Sequence, residues 1–543
     1  MKLCHHALYA CLMAATACDA PSDPPGAGGQ AGTGGEAGMG GEAGTGGISA
    51  GGSPGTGGMT TMPFTDSPYA GTQFFAVDLP NFDDGADDPP WGVAVLSAAA
   101  PGCASSGCDT GADVTISVNE SPPGQAPDWR PLETFTLGVQ EGRFVDLPSR
   151  EVTGRSPSSP EGPMTQRSAN VVRISSKGRV FVAQLSGTAT DATADATMLF
   201  PNPESASHEP ESEERYHVVS APAAASGYNS ITVVANAKGA AFEVVPTAEI
   251  EGDGLTLGPW PPGQSAAFAL SPFEVLNLAA AGDLTGTVIQ GSDIASVFTS
   301  AQGVLIPGTL ESGPPPVPGS EGSTCCSDHL QEQLLPLRAW ETGTTISAPV
   351  GWGTDFIVPS SPSRSETASR EPDLIRIVAG ESSAGITTSL PAPHQAFALA
   401  PGEHADIWTT QDTYIRSSAP ISVAQILVGS GYTTSGKGDP SLLMIPPVDE
   451  YRESAWIYVP ESWPEVYVTH VTRSPSPDHG THCTTTTLEY PADSVHYVHV
   501  CEAECTGWCL VESSSAMVVL VHGYSQASSF AMQGAGFDVT LLM

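Results

Sequence analysis

The apolar positions of this chain fall in short runs that are typical of β-strands. From about residue 70 onwards, apolar or alternating stretches rich in Val, Ile, Phe and Tyr are separated by Gly, Pro, Asn and Asp. Residues of these turn-forming types reverse the chain between strands, so the pattern predicts antiparallel β-sheets. Only the segment 328–340, DHLQEQLLPLRAW, has helical spacing, and we expect one short helix there.

The strand pattern recurs four times along the chain. Each copy opens with an aromatic-rich strand that ends near proline, namely QFFAVDLP (73–80), RYHVVSAP (215–222), TDFIVPSS (354–361) and WIYVPES (456–462). Each copy closes with a polar turn and a β-branched strand, namely SSKGRVFVAQLSG (175–187), GSDIASVFTSAQG (291–303), SSAPISVAQILVG (417–429) and SSSAMVVLVHG (513–523). This repetition predicts an all-β fold of four tandem antiparallel β-sandwich-like modules.

Three of the copies share a further turn before their last strands. We align LGVQEGRFVDLP (137–148), WPPGQSAAFAL (260–270) and LAPGEHADIWT (399–409) as equivalent segments. The pattern divides the chain into these predicted parts: module 1 over 65–190, module 2 over 210–310, a Pro/Cys-rich connection over 311–352, module 3 over 353–435 and module 4 over 450–543.

The N-terminus has the pattern of an export signal. Residues 1–17 combine Lys2 with a short apolar stretch, which predicts a signal peptide. The small residues before Cys18 resemble a bacterial lipobox, so we expect lipidation of Cys18; plain secretion is the alternative. Residues 18–64 carry a glycine-rich six-residue repeat that cannot form a core, which predicts a disordered tether.

The charge balance excludes two classes of partner. The chain has 59 acidic and 19 basic residues, and its net charge is −40. Nucleic acids and anionic lipid headgroups both require a basic surface, so neither is expected to bind. The predicted membrane contact is therefore the lipid anchor alone.

The cysteines suggest a disulfide framework. After the three in or next to the signal peptide, eight remain, an even number that is typical of an exported chain: Cys103, Cys108, Cys325, Cys326, Cys483, Cys501, Cys505 and Cys509. Cys103 and Cys108 are the favoured local pair. The last three have the spacing C-x3-C-x3-C, which fits neither common iron–sulfur pattern, so we expect them to pair with Cys483 and with Cys325 and Cys326.

Candidate catalytic chemistry is weak. The stretch VLVHGYSQAS (519–528) looks like the nucleophile elbow of a serine hydrolase, with Ser525 as the nucleophile. The acid and the histidine that such an enzyme needs should follow in the chain, yet only Asp538 and no histidine come after Ser525. We therefore predict a non-catalytic protein in which this stretch is the closing strand of module 4.

Metal and docking motifs are also weak. His496 and His499 lie three apart on a predicted strand and should face opposite sides, which disfavours a zinc site with His479 and His482. The acidic turn 81–88 does not match a calcium loop, and a solvated turn is favoured. The proline-rich stretch 313–319 could dock a partner, but loop stiffening is favoured. No cofactor or metal is predicted.

Several segments, taken in order, resemble the IgG Fc-binding protein N-terminal domain family. They are GDLTGTVI (282–289), CCSDHLQEQLLP (325–336), WGTDFIVP (352–359), GDPSLLMIPPVDEYR (438–452) and GYSQASS (523–529). The likeness covers roughly residues 70 to 540, with the family-like region placed at 210–543, and the early strand QFFAVDLPNFDD (73–84) also resembles the first segment of the bacterial members. Members in myxobacterial-type lipoproteins often follow a glycine-rich tether like this one. The chain departs from the family in an insertion, ETGTTISAPVG (341–351), and in lacking the cysteine-rich modules that often accompany the domain.

This resemblance implies a β-rich protein for recognition without catalytic residues. Fc binding belongs to the vertebrate member, so no contact residues can be transferred to this chain. We expect a tethered cell-surface protein that binds an unknown protein or glycan ligand in adhesion or recognition. A structural component of the envelope or extracellular matrix is the alternative.

Overall fold

The fold was analysed in a computed structural model, in which Met59–Met543 form one compact unit. The structure describes residues 67–81, 89–99, 111–155, 162–191, 193–202, 214–222, 227–307, 310, 313–322, 327–337, 351–477, 482–490, 494–526 and 528–537. The predicted signal peptide, the predicted lipidation site Cys18 and the predicted tether lie outside these residues, as do the candidates Cys103, Cys108, Cys325 and Cys326 and positions 82–88 of the acidic turn.

The described residues confirm the all-β prediction. They form 30 strands, β1 to β30, and two short 3₁₀ helices, Ser430–Tyr432 and Val448–Glu450, and they contain no α-helix. Every pairing between these strands is antiparallel, as the turn-rich sequence predicts.

The strands are grouped under the names of the four predicted modules. The strands Asp195–Leu199, Asp328–Leu334 and Leu442–Met444 lie beyond the predicted ends of modules 1, 2 and 3 at residues 190, 310 and 435. Module 1 contains β1 Gly71–Ala76, β2 Trp91–Ser97, β3 Ala112–Asn119, β4 Trp129–Leu137, β5 Gly142–Leu147, β6 Gln166–Ser168, β7 Val172–Ser186 and β8 Asp195–Leu199. Module 2 contains β9 Glu214–His217, β10 Asn229–Ala235, β11 Ala240–Val245, β12 Ala266–Leu270, β13 Val275–Ala280, β14 Val288–Ser292, β15 Ile294–Val304 and β16 Asp328–Leu334.

Module 3 contains β17 Gly353–Val358, β18 Asp373–Ala379, β19 Ala384–Thr388, β20 Ala396–Leu399, β21 His404–Thr409, β22 Thr413–Ile426 and β23 Leu442–Met444. Module 4 contains β24 Arg452–Val459, β25 Glu465–Thr472, β26 Thr484–Glu489, β27 Val495–Glu502, β28 Gly507–Tyr524, β29 Ser529–Gln533 and β30 Ala535–Phe537.

One long strand organises each of modules 1, 3 and 4. The first half of β7 pairs with β1 and β3, and its second half pairs with β2 and β8, so the strand passes from one layer into the other. In module 3, β22 likewise joins β17 and β19 to β18 and β23. We predicted that the polar stretch before each closing strand is a turn. This prediction is wrong in modules 1, 3 and 4, where the polar stretch lies inside a long strand.

Module 2 has the same order but a broken long strand. Asp293 has a positive φ of 59° and separates β14 from β15. The two layers are therefore separate sheets, with the orders β12-β11-β14-β9 and β16-β15-β10-β13-β6. The left-handed backbone at Asp293 therefore interrupts the long strand, and module 2 has two sheets where modules 1 and 3 each have one.

The aligned turn segments are equivalent in modules 1 and 3 but not in module 2. The true counterpart in module 2 is the turn 270–274, which leads into β13, since β13 pairs with β10 as β5 pairs with β2. In all three turns a glutamate accepts a hydrogen bond from the backbone N–H three residues earlier, at 2.7 to 2.8 Å: Glu141, Glu274 and Glu403. The segment WPPGQSAAFAL leads into β12 instead, and its proline-rich turn misled the alignment.

The helix expected at 328–340 is also wrong, because its first part is strand β16, which pairs with β15. The polar residues that suggested an exposed helix face are buried and bonded to module 1. Thr197 Oγ1 donates to Glu332 Oε2 at 2.6 Å, and Gln333 Oε1 accepts from the backbone of Phe200 at 2.9 Å. Polar side chains at a buried junction therefore imitated helical periodicity.

The four modules pack in a closed cycle. The buried apolar clusters join module 1 to module 2, module 2 to module 3, module 3 to module 4, and module 4 to module 1. Near the centre of the cycle, β8 contacts β16 and β29, and β23 contacts the same two strands. These four short strands close the ring.

A single carboxylate, Asp195 on β8, binds all four modules. Its oxygens accept hydrogen bonds from the backbone N–H of Gln331 at 3.1 Å in module 2 and from Ser441 Oγ at 2.7 Å in module 3. They also accept from the backbone N–H groups of Leu442 and Ala531 at 3.4 Å, and from Ala196 at 3.0 Å. We call the fully buried acids Asp195, Asp328, Glu332 and Asp439 the carboxylate hub.

Burial perturbs the acids of the carboxylate hub. It raises the pKa of Asp195 to about 8, although the hydrogen bonds to this group act in the opposite direction. Burial, with Asp439 and Asp195 nearby, also raises the pKa of Asp328 well above its ordinary value. The removal of these carboxyls from water outweighs their hydrogen bonds, so the folded state favours their protonated forms.

Candidate functional site

The described residues form a groove between module 1 and module 4. Its volume is about 390 Å³, which falls in the range of small-ligand sites. It is lined by Pro90, Trp91, Gly142, Arg143, Phe144, Asp146, Leu185, Gly187, Thr188, Tyr458, Pro460, Glu461, Ser462, Trp463, Gly507 and Trp508. We call it the aromatic groove, since five of these sixteen residues are Trp, Tyr or Phe.

Strand β5 forms the module 1 wall of the aromatic groove. It pairs with β2 alone and is the edge of its layer. Val145 and Leu147 face the core, while the alternate residues Phe144 and Asp146 are exposed. Gly92 lets the Phe144 ring lie close to the β2 backbone, because a Cβ at this glycine would come within 2.6 Å of the ring. Because successive side chains of a strand point to opposite faces, the Phe144 ring and the Asp146 carboxylate both face the groove.

Strands β24 and β28 form the module 4 wall. Tyr458 and Trp508 are directly opposite each other in the register of these strands, and their ring centroids are 5.4 Å apart. Tyr458 also lies 6.2 Å from Phe144 with an interplanar angle of 15°, which makes a stacked pair across the two modules. The three rings form one continuous series, and cross-strand aromatic pairs of this kind stabilise the sheet itself.

A disulfide stabilises the turn that presents Trp508. Cys505 and Cys509 are bonded to each other across four positions, and Trp508 lies between them. The indole packs on the backbone of Gly142 in module 1, since a Cβ at that glycine would lie 2.3 Å from Trp508 Cδ1. Trp508 is therefore held both by its own hairpin and by the opposite wall.

The aromatic groove contains both hydrogen-bond donors and acceptors. Burial, with Glu461 and Asp146 nearby, raises the pKa of Tyr458 to about 12, so its hydroxyl stays protonated. The indole N–H of Trp91 already donates to the Pro148 carbonyl at 3.1 Å. The indole nitrogen of Trp508 is buried without a hydrogen-bond partner.

The groove holds one basic side chain. Arg143 donates to Glu133 at 2.6 Å and lies over the Phe135 ring at 4.7 Å. Among the described residues that line the groove, Arg143 is the only basic side chain, and it is paired with Glu133.

The structure places Ser525 in a turn. Its hydroxyl donates to the Ser528 carbonyl at 3.4 Å, and the Ser525 carbonyl accepts from Gly438 at 2.8 Å. The turn joins β28, the strand expected to close module 4, to β29. Ser525 thus connects module 3 to module 4, and its hydroxyl is directed at a backbone carbonyl.

Of the candidate zinc histidines, His496 and His499 lie on β27, His482 lies before β26, and His479 lies outside the described residues. His499 is buried, with Nδ1 2.8 Å from Thr485 Oγ1 and Nε2 3.1 Å from the Ser474 carbonyl. His482 lies 3.5 Å from Glu502 at the surface. Within the described ranges, no three His, Cys, Asp or Glu side chains are placed to share a metal ion.

The structure confirms that the chain contains disulfides and assigns two of them. Cys483 on the approach to β26 is bonded to Cys501 on β27, and Cys505 is bonded to Cys509. Both bonds lie in module 4. The expected pairing of Cys501 with Cys483 is confirmed, but the expectation that Cys505 and Cys509 pair with Cys325 and Cys326 is wrong, because the two are bonded to each other across the turn before β28. In the part of the chain that the structure describes, no helix has the length and apolar character to cross a bilayer.

A family model described as IgGFc binding protein matches residues 195–523. This match covers more than half of the 543 residues. The chain belongs to the IgGFc-binding family. The resemblance seen in the sequence is therefore confirmed, and family membership supports a binding-protein role. A comparison with curated proteins finds no match.

Three of the five segments that resemble the family, 325–336, 438–452 and 523–529, contribute residues at or next to the carboxylate hub. Segment 325–336 contains β16, and segment 438–452 contains Asp439 and Ser441. The Asp439 N–H donates to Ser529 Oγ of the last segment at 2.8 Å. These segments therefore specify how the modules assemble.

The aromatic groove lies only partly within the matched region. Tyr458 and Trp508 lie within the matched region, but Phe144 and Asp146 lie before it. Our reading of the sequence missed the groove, because its two walls are more than 300 positions apart in the chain. One signal was available: a tryptophan between two close cysteines, as in CTGWC (505–509), is typical of an aromatic side chain held at a surface.

Proposed function

We propose that this protein is a lipid-anchored recognition protein that presents its β-rich body outside the cell and binds a ligand in the aromatic groove. The groove carries this proposal, since it places a rigid series of aromatic rings and several acceptors on two packed modules. Aromatic rings with two side-chain torsions bind at low cost in conformational entropy, and they are typical of binding surfaces.

The N-terminal sequence supports the outward position of the body. Lipidation of Cys18 would hold the chain at a membrane, and the glycine-rich residues 18–64 would form a flexible spacer. The net charge of −40 keeps the body away from anionic lipid headgroups and so favours a ligand that lies away from the membrane. Adhesion to a neighbouring cell or matrix is the role that these features support best.

Localisation is tested on intact cells with an antibody to the body, with and without an added protease. We expect a surface signal that the protease removes. Cys18→Ser should release the protein into the medium, whereas Cys11→Ser, a matched change within the signal peptide, should leave it attached. A signal that appears only after the outer membrane is opened would contradict surface recognition and favour a structural role in the envelope.

Ligand binding is tested separately with the purified chain on cells of the same and neighbouring species. We expect the exposed-ring change Phe144→Ala to reduce binding, while Leu255→Ala, which alters an exposed residue of module 2, should not. Equal binding by both variants would contradict the role of the groove.

A further inference from the structure

We infer that the disulfide between Cys505 and Cys509 is an exchange site, at which a small thiol without a carboxylate forms a mixed disulfide with Cys505. The inference goes beyond the proposed function and needs no ligand in the aromatic groove. The second disulfide of module 4, between Cys483 and Cys501, is then a structural bond. Because the two bonds lie in one module, each serves as a control for the other.

Access to solvent distinguishes the two disulfides. Cys505 is exposed in the turn between β27 and β28, and its partner Cys509 is 8% exposed. In the other bond, Cys501 is 1% exposed and Cys483 is half-buried. A thiolate must reach a sulfur atom in line with the bond that breaks, so burial slows exchange. Among these four cysteines Cys505 alone is exposed, and we expect attack there.

The turn that contains Cys505 can open without disturbing the strands on either side. Before it, the backbone N–H of Ala503 donates to the Val466 carbonyl at 2.9 Å. After it, Gly507 pairs with Val459 in the register of β28 and β24. Residues 504–506 lie between these two points and are all exposed. The sulfur atoms can therefore separate while the pairing of the sheet stays in place.

Carboxylates beside the bond determine which thiol reacts. Glu502 and Glu504 are exposed and flank Cys505 in the chain, and exposed Glu461 lines the aromatic groove near the same turn. Glu502 lies 3.5 Å from His482, which offsets its charge only when that histidine is protonated. The thiolate of an amino thiol has no net charge, whereas that of a carboxylated thiol has two negative charges. The site therefore repels carboxylated thiols most strongly.

The reaction is a thiol–disulfide exchange that needs no further oxidant or reductant. The thiolate attacks Sγ of Cys505 and forms a new S–S bond there, and the bond to Cys509 breaks. The electron pair of that bond leaves with Sγ of Cys509, which then takes a proton from water. The products are a mixed disulfide at Cys505 and a thiol at Cys509, so the protein gains one molecule of the thiol.

Exchange should be felt at the contact between module 1 and module 4, because Trp508 lies between the two cysteines. Its indole packs on Gly142 of module 1, where a Cβ would lie 2.3 Å from Trp508 Cδ1. When the disulfide opens, Trp508 keeps its strand pairing with Tyr458 but loses the constraint of the closed loop. We expect the emission of Trp508 to change as a result.

The test treats the purified full chain with cysteamine in the absence of denaturant. The reaction is stopped in acid, free thiols are trapped with N-ethylmaleimide, and both labels are located by peptide mass. We expect cysteamine on Cys505 and maleimide on Cys509, about tenfold or more faster than any label on Cys483 or Cys501. In urea the two disulfides should react at similar rates.

This experiment uses the wild type, so it does not depend on a variant that could fail to fold. Equal rates at the two disulfides of the native protein would overturn the inference. So would cysteamine found mainly on Cys509, or native protein in which neither bond reacts.

Charge selection is tested with cysteamine, 2-mercaptoethanol and mercaptoacetate. Each rate constant is divided by that of the same thiol with 2-hydroxyethyl disulfide, a neutral model compound. We expect the rates to fall in that order, with smaller differences at high salt. Joint replacement Glu502→Gln and Glu504→Gln should narrow the range by about threefold or more, whereas Glu489→Gln, an exposed position on β26, should not. A range that the double variant leaves unchanged would overturn charge selection.

Tryptophan emission tests the effect on the contact between the modules. The change in emission should have the same rate constant as the appearance of the Cys505 adduct, and it should be absent in Trp508→Phe. A change that persists in Trp508→Phe would overturn the link to this contact. None of these outcomes depends on ligand binding, so they are separate from the test of the proposed function.

Discussion

Replacement of Asp195 by asparagine should change how the stability of this protein depends on pH. Burial raises the pKa of Asp195 from its ordinary 3.8 to about 8 in the folded state. Between these two values the folded protein holds a proton at this site that the unfolded chain has lost. The proton bound at Asp195 therefore makes its full contribution to the free energy of unfolding at pH values below 3.8, and this contribution is lost as the pH rises through about 8.

The magnitude follows from one bound proton. The free energy of unfolding should fall by roughly 1.4 kcal/mol per pH unit at this site, or about 2.7 kcal/mol from about pH 5 to about pH 7. Asparagine cannot titrate, so this part of the slope disappears in Asp195→Asn. The amide can still donate to the Ser441 hydroxyl, which is able to accept as well as donate, and its oxygen can accept from the Gln331 N–H.

The assay is equilibrium unfolding in urea at both pH values. The free energy of unfolding of Asp195→Asn, measured relative to that of the wild type, should be about 2.7 kcal/mol higher at about pH 7 than at about pH 5. Asp128→Asn, which changes an exposed residue in a turn of module 1, is the control and should leave the slope as it is in the wild type. If the free energy of unfolding depends on pH with the same slope in all three proteins, the reasoning is refuted. Asp195 would then be ionised in the folded state, and its five hydrogen bonds would stabilise the charged form.

Three further changes test the packing of the modules and the groove. Arg376→Ala should cost about 3–5 kcal/mol in urea unfolding, because Arg376 is fully buried and pairs with two carboxylates at 2.8 Å; a cost below about 1 kcal/mol would contradict this. Gly142→Val should displace Trp508 and cost about 1–3 kcal/mol, seen as a change in tryptophan emission together with lower stability, and unchanged emission would count against the packing described here. Joint replacement of Cys505 and Cys509 by serine should cost about 2 kcal/mol, since the closed loop is short, and equal denaturation midpoints with and without the bond would contradict that value.

The sequence by itself determined the class of fold and the order of its parts. The apolar runs and turn residues predicted antiparallel strands, and self-similarity predicted four modules, since both depend on local periodicity that a short window contains. The same local reasoning failed at β16, where Gln331, Glu332 and Gln333 are buried in a junction between modules and resemble an exposed helix face. It also failed at the closing segments, because a polar stretch inside a long bent strand has the composition of a turn.

Only the tertiary structure decided how the modules join and where a ligand can bind. Asp195 has no distinctive neighbours in the sequence, yet it accepts hydrogen bonds from all four modules. The aromatic groove joins Phe144 to Tyr458 and Trp508 across more than 300 positions of chain. Periodicity in the sequence determines which face of a strand is apolar. Which apolar faces pack together depends on how the four modules assemble, and so on contacts between residues far apart in the sequence.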